Sequence, residues 1–335
     1  MRFFDAAAVE AALSDLAMVD RLARVFAEGG RVPLRHHHKI AVPGAPDATL
    51  LLMPAWREGG ALGIKSVTVF PGNAARGIDS VLGVYLLLDG TTGRPRALLD
   101  GRMLTLRRTA GTSALVARHL ARKSAKRLAV IGAGALAGHL APAHAAVRPI
   151  ETVTIWNRTP ARAEALAETL RAKGLDARAS ADLEKTVAEA DIVTCATLAQ
   201  EPLIRGAWLR PGTHVDLVGG FTPSMREADD ETVGRAAVYV DTREGATQEA
   251  GDIVIPLASG VLKPDGIRGN IAELCAARLP GGETKRKSPC SSRWATPSKT
   301  WPRPSSSWSA RHEDRRRRRR PHGTLGRVGG DQGRA

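Results

Sequence analysis

The sequence predicts an α/β protein in which a doubly wound, Rossmann-type domain follows a smaller α+β domain. Three observations predict it. The apolar run Leu128-Ala129-Val130-Ile131 breaks into Gly132-Ala133-Gly134, and small and apolar residues at helical spacing continue from Ala135 to Val147. A second apolar run, Thr152 to Trp156, follows at the interval a strand-helix-strand unit needs. Beyond it, further short apolar runs alternate with helical patterns, as a parallel sheet requires.

The glycine turn carries a chemical expectation. Gly132 permits the sharp turn, Gly134 lets a pyrophosphate approach the backbone, and Ala137 at the third position keeps helix and strand close. The phosphate would rest on free N–H groups at the positive end of the helix dipole. The strand over 152–156 ends in Asn157-Arg158-Thr159, with Thr159 as the N-cap of a helix opened by Pro160. An NAD-binding domain usually has a carboxylate here for the ribose hydroxyls. A guanidinium instead binds a 2′-phosphate, so NADPH is the expected cofactor and NADH the alternative; Arg158 also reads as a solvated turn residue.

A chain of 335 residues suffices for two domains and a sizeable core. No apolar segment is long enough for a membrane span, and the N-terminus lacks the form of a signal peptide. Cys195, Cys275 and Cys290 show neither pairing nor metal-ligand spacing, so a reduced cytoplasmic setting is expected. The net charge of +15 is concentrated: from Lys285 onward there are 15 basic and 3 acidic residues, against 34 and 31 in the remainder. The body is nearly balanced, which argues against nucleic acid as its partner.

Taken in order, residues 6–29 read as an amphipathic helix, with Leu13, Leu16, Ala17, Val19, Leu22 and Val25 in its apolar stripe. His36-His37-His38 cannot converge on one ion as sequence neighbours, and reads as a polar strand or loop. Strands are expected over 49–54, 63–70, 81–88 and 95–99, and a helix over 104–120. Lys65 interrupts an apolar run, so it either snorkels to an edge or faces an anion. Arg35, Lys65 and Arg108 are the candidate anion holders of this region; each also reads as surface charge. In the second half, a short helix is expected over 182–189, strands over 192–197, 213–220 and 237–242, and a loop over 245–251.

Several ordered motifs resemble one family. They are Met53-Pro54-Ala55, Ile64-Lys65-Ser66-Val67 with Phe70-Pro71-Gly72-Asn73, Leu106-Arg107-Arg108-Thr109-Ala110, Ile131-Gly132-Ala133-Gly134 and Ile155-Trp156-Asn157-Arg158-Thr159. Arg226-Glu227-Ala228-Asp229 and Glu249-Ala250-Gly251-Asp252 complete the set. From about Arg35 to Leu274 the chain resembles the ornithine cyclodeaminase and mu-crystallin family. The resemblance implies an NAD(P)-linked homodimeric enzyme of small amino or imino acids. It divides the chain into a substrate-binding and dimerisation domain (1–120), a Rossmann NAD(P)-binding domain (121–284) and a tail (285–335). It places Arg35, Lys65 and Arg108 on the substrate carboxylate and reacting nitrogen, with Lys65 as the catalytic residue. Ser80, Gly132, Gly134, Ala135, Leu136, Asn157, Arg158, Thr159, Thr197 and Val218-Gly219-Gly220 fall to the cofactor. Leu136 departs from the glutamine common at its position.

Ornithine cyclodeaminases carry an aspartate directly after the glycine pair, as acid and base. This chain has Phe221 there, which transfers no proton. The resemblance is therefore to members that reduce cyclic ketimines, Δ1-pyrroline-2-carboxylate or Δ1-piperideine-2-carboxylate. The alternatives are ornithine cyclodeamination and non-catalytic binding of NADPH and a small ligand.

Residues 285–320 contain no Val, Ile, Leu, Met or Phe, and on composition are expected to be disordered. Relatives end with a segment like FKSVGHAVEDLAAAQLV, which read one base late in GC-rich codons gives SSRWATPSKTWPRPSSS, residues 291–307 here. A frameshifted tail is therefore expected. Its polyarginine run then carries little evidence of an evolved partner, nucleic-acid binding through the tail stays a third reading, and the loss of the ancestral ending is expected to lower activity or stability.

Overall fold

The computed structural model describes residues 1–276 apart from Leu34. These lie within one compact unit, Met1–Arg303. The expectations for the tail and for Cys290 fall outside the described residues.

The first part begins with β1 (Arg2–Phe4), α1 (Ala6–Ala12) and α2 (Asp15–Glu28). One helix was expected over 6–29, but two N-caps divide it. Asp5 accepts the Ala8 N–H and Ser14 the Ala17 N–H, so the chain leaves one helix at Leu13 and starts another. Then come β2 (His36–Ile40), β3 (Ala48–Trp56), β4 (Ala61–Val69), β5 (Val81–Asp89), β6 (Pro95–Asp100) and α3 (Gly101–Leu120). The strands form one sheet in the order β1-β6-β5-β4-β3-β2, antiparallel except for β1 against β6. The three histidines lie on the edge strand β2, where alternation separates them, and the described residues contain no cluster able to hold a metal ion.

The two faces of this sheet have different fates. Gly83 packs beneath α3, since a Cβ on Gly101 would lie 2.7 Å from the Gly83 carbonyl carbon. The opposite face of β5 leaves Leu82 and Val84 exposed, and Phe3 beside it is 69% exposed.

The second part is β7 (Arg127–Ile131), α4 (Ala137–Ala145), β8 (Thr152–Trp156), α5 (Pro160–Ala172), β9 (Ala177–Ser180), α6 (Leu183–Glu189), β10 (Ile192–Cys195) and β11 (His214–Leu217). All five strands are parallel, in the order β11-β10-β7-β8-β9. The order reverses between β7 and β10, and ligands of such sheets bind at the carboxyl ends of strands beside that switch point. Central β7 is apolar without alternation because both faces are covered. Leu128 and Val130 join one buried cluster, Ala129 and Ile131 another.

The chain closes with α7 (Asp230–Arg235), β12 (Val238–Val240), α8 (Arg243–Glu249), α9 (Gly251–Ser259), β13 (Ile267–Asn270) and α10 (Ile271–Cys275). The strand expected over 237–242 exists but leaves the large sheet to pair with β13. The loop expected over 245–251 is helical: the Thr242 hydroxyl caps α8 on the Gly245 N–H at 3.2 Å, and α9 begins at Gly251. α10 returns to the first part, where Ile271 and Leu274 share a buried cluster with Val19 of α2.

Candidate active site

The turn after β7 is built for a close ligand. Gly132 has φ +103°, and a Cβ on it would lie 2.9 Å from the Ala196 carbonyl oxygen, so the turn is held tightly against the chain leaving β10. At Gly134 the reverse holds, because a Cβ there would meet nothing within 4 Å. Gly134 and Ala135 are exposed, and no acceptor among the described residues takes the N–H groups of Gly134, Ala135 or Leu136. Ala137, behind them, is fully buried. An open cradle of unclaimed donors ahead of α4 fits a dinucleotide pyrophosphate.

At the end of β8, the Asn157 side chain braces the glycine turn. Its Oδ1 accepts the Ala133 N–H at 3.1 Å, and its amide donates to the Thr159 carbonyl at 3.0 Å. Thr159 occupies the N-cap of α5 but makes no side-chain cap bond. Arg158 is exposed, and no described residue bonds its guanidinium.

Thr197, Val218, Gly219 and Gly220 converge beyond the ends of β10 and β11, organised by two buried acids. One carboxylate oxygen of Glu227 accepts the Thr197 N–H at 2.6 Å and the Thr197 hydroxyl at 2.7 Å. The other accepts the N–H groups of Val218 at 3.1 Å and Gly219 at 2.8 Å. Asp252 in turn accepts the backbone N–H groups of Glu227 and Ala228, at 2.8 and 3.0 Å. Space, rather than positive φ, demands the two glycines. A Cβ on Gly219 would lie 2.0 Å from the Thr197 carbonyl oxygen, and one on Gly220 would lie 2.4 Å from Asp252 Oδ2. Burial, then the Asp252 charge, pushes Glu227 up to about 8, and burial pushes Asp252 up to about 6. Phe221 follows, 42% exposed.

The first part supplies the cations. Lys65 of β4 pairs across the sheet with Met53 on one side and Tyr85 on the other, so these three share a face. Arg35 immediately precedes β2, whose first residue His36 pairs with Leu52, next to Met53. The Arg35 guanidinium is bound by the Glu249 carboxylate at the end of α8. Arg108 lies on α3; burial lowers its pKa, and the charge of Asp241, just ahead of α8, opposes that. No hydrogen bond or ion pair among the described residues takes its guanidinium. Ser80 lies at the β4-β5 connection, where its carbonyl accepts the Phe70 N–H at 2.8 Å.

The sequence alone assigns no role to Glu227, Asp252, Glu249 or Tyr85. The three acids stand in motifs quoted above, but nothing in their own stretches marks them as buried or paired. Tyr85 is marked only by its partner: a Cβ at Gly63 would lie 1.8 Å from the Tyr85 hydroxyl, so the ring depends on that glycine.

A sequence profile of the ornithine cyclodeaminase/mu-crystallin family matches residues 5–288. The chain is 44% identical over 232 residues to the Δ1-pyrroline-2-carboxylate reductase of Paracoccus denitrificans, spanning 69% of this chain and 73% of that protein. It is similar to the solved structure of Thermococcus litoralis Δ1-pyrroline-2-carboxylate reductase in complex with NADH and L-proline, with a TM-score of 0.80 and 32% identity over 89% of this chain and 92% of that one. It is also similar to the iminosuccinate reductase of Paracoccus denitrificans in complex with NAD+, with a TM-score of 0.78 and 26% identity over 89% and 91% of the two chains. The glycine turn, the strand order and this span of matched sequence together make the chain a member of the ornithine cyclodeaminase/mu-crystallin family.

Proposed function

We propose that this protein is an NADPH-dependent reductase of cyclic imino acids. It converts Δ1-pyrroline-2-carboxylate or Δ1-piperideine-2-carboxylate to L-proline or L-pipecolate. The observation that carries the reading is Phe221 directly after Gly219-Gly220, where amine cyclisation and deamination would need a proton-transferring acid. The similarity to two Δ1-pyrroline-2-carboxylate reductases supports it.

The dinucleotide, when bound, supplies the hydride. Gly134, Ala135 and Leu136 would hold its pyrophosphate through their N–H groups, and Arg158 would hold the 2′-phosphate that favours NADPH over NADH. Thr197 and the 218–220 segment, fixed by Glu227, would line the nicotinamide. Arg108 and Arg35 anchor the substrate carboxylate by charge-assisted hydrogen bonds. Lys65 holds a proton at the imine nitrogen, which makes the adjacent carbon electrophilic. The exposed apolar face carrying Phe3, Leu82 and Val84 serves a homodimer contact.

The test is a spectrophotometric panel of five- and six-membered cyclic imines with NADPH and NADH. Oxidation of NADPH dependent on imine is expected. Indifference to both dinucleotides in a direct titration, or conversion of ornithine to proline with ammonia release, overturns the reading. NADPH binding without turnover of any imine would favour a non-catalytic binder instead.

A further inference from the structure

A cluster of cations lies away from the candidate active site, at the amino ends of the parallel strands. Arg122 stands between α3 and β7, Arg127 opens β7, and Arg210 lies in the connection before β11. Their guanidiniums converge on one atom. Oδ1 of Asp191, just ahead of β10, is met by Nη2 of Arg122 at 2.8 Å, of Arg127 at 3.4 Å and of Arg210 at 3.4 Å. The three Nη2 atoms therefore lie no farther apart than twice the longer distance. About 13 Å of strand separates Arg127 from the glycine turn at the other end of β7.

The acid cannot balance all three. Its other oxygen, Oδ2, accepts the backbone N–H groups of Lys126 and Arg127, each at 3.0 Å, so the carboxylate ties the starts of β7 and β10 together and has one oxygen left for the arginines. Each arginine gives that oxygen a single nitrogen, and the Nη1 groups of all three have no hydrogen-bond acceptor among the described residues. Neighbouring acids do not close the balance. Glu151 pairs with Lys126 at 2.5 Å, and Arg210 reaches only the backbone carbonyls of Glu189 and Ala190, at 2.9 and 3.0 Å, besides Asp191. The Asp191 side chain is 9% exposed and the arginine side chains 42% to 47%, so the surplus charge faces water.

Like charges held this close repel one another, and a second anion would relieve them. A guanidinium meets phosphate oxygens through paired N–H groups, and a tetrahedral dianion presents oxygens to several forks at once. It also matches the surplus of two positive charges that Asp191 leaves, whereas a monocarboxylate leaves one over.

We propose that Arg122, Arg127 and Arg210 form a second anion site, which takes a phosphate group of a small molecule and is distinct from the dinucleotide cradle at the opposite end of the sheet. The site does not depend on the reductase reading.

The experiment uses the full chain saturated with NADPH, so that the glycine turn is filled, and titrates it calorimetrically with inorganic pyrophosphate, inorganic phosphate and acetate. Pyrophosphate and phosphate are expected to bind at least about tenfold more tightly than acetate. Arg122→Gln and Arg127→Gln should each weaken pyrophosphate binding at least about fivefold. Arg178→Gln, which removes an exposed charge from β9, should change it by less than about twofold. Wild type that binds no pyrophosphate, or that binds acetate equally well, overturns the proposal without recourse to any variant. So does pyrophosphate binding that survives both cluster substitutions in proteins that melt cooperatively, or an equal loss in Arg178→Gln, which would assign the effect to net charge. A protein that ignores NADPH would refute the reductase reading and leave this test intact, because the arginine variants locate the anion.

Discussion

Glu227 binds Thr197 twice through a single carboxylate oxygen, at the backbone N–H (2.6 Å) and at the hydroxyl (2.7 Å), and so ties the end of β10 to the glycine pair after β11. The acid is fully buried beside Asp252, and burial is the first cause of its raised pKa. A carboxyl whose folded pKa lies above its unfolded value keeps a proton that the unfolded chain releases. Stability therefore falls as pH rises from about 4.3 through about 8, and levels beyond. Urea midpoints at pH 5 and pH 8 should show the decline. In Glu227→Gln it should shrink by roughly half or more, leaving the Asp252 contribution below about 6. An identical decline in the variant would remove Glu227 as its source.

Two glycines separate space needed by the protein from space needed by a ligand. Gly134→Ala adds a methyl that meets nothing within 4 Å, so unfolding free energy should change by no more than about 0.5 kcal/mol. Dinucleotide affinity should nevertheless fall about tenfold, because the methyl lies where the pyrophosphate approaches. Gly219→Ala drives a methyl into the Thr197 carbonyl and should cost about 3 kcal/mol or more. Denaturation and fluorescence titration of both variants read the contrast.

Arg158 is exposed and without a described partner, so its removal should cost the fold nothing. Arg158→Gln is expected to weaken NADPH binding about tenfold and leave NADH binding within about twofold. Equal losses for the two dinucleotides would argue against a 2′-phosphate role.

Lys65 shares a face with Tyr85 and Met53. Lys65→Met should lower kcat for the cyclic imine about a hundredfold with the dinucleotide dissociation constant little changed. Near-normal turnover would take Lys65 out of the chemistry.

Val84 is 42% exposed on the uncovered sheet face, on the same side of β5 as Leu82. Val84→Glu should yield a folded monomer by sedimentation where wild type sediments as a dimer. A monomeric wild type would dismiss this face as the contact.

The elements legible in the sequence are those whose local chemistry is self-sufficient. The strand over 152–156 was read to the residue because an apolar run meets polar turn residues at its end and a proline-led helix beyond. The glycine turn was legible because its function is written in backbone freedom. The loop expected over 245–251 failed for a related reason. Gly245 looks like a breaker, yet it sits in the first turn of α8 where the Thr242 cap takes its N–H. Gly251 closes the expected loop, but it begins α9, and a Cβ there would lie 2.0 Å from the Met225 carbonyl oxygen. The Glu227-Asp252 and Arg35-Glu249 pairs were hidden because burial and partnership join residues 25 and 214 positions apart.

The return of α10 to α2 also orders events on the ribosome. Val19 cannot reach its full hydrophobic company until Ile271 and Leu274 have been synthesised, roughly 250 residues later. The opening helices therefore find their first partner early, on Ala110, Ala114 and Leu115 of α3, and their cluster is closed only when α10 has been made.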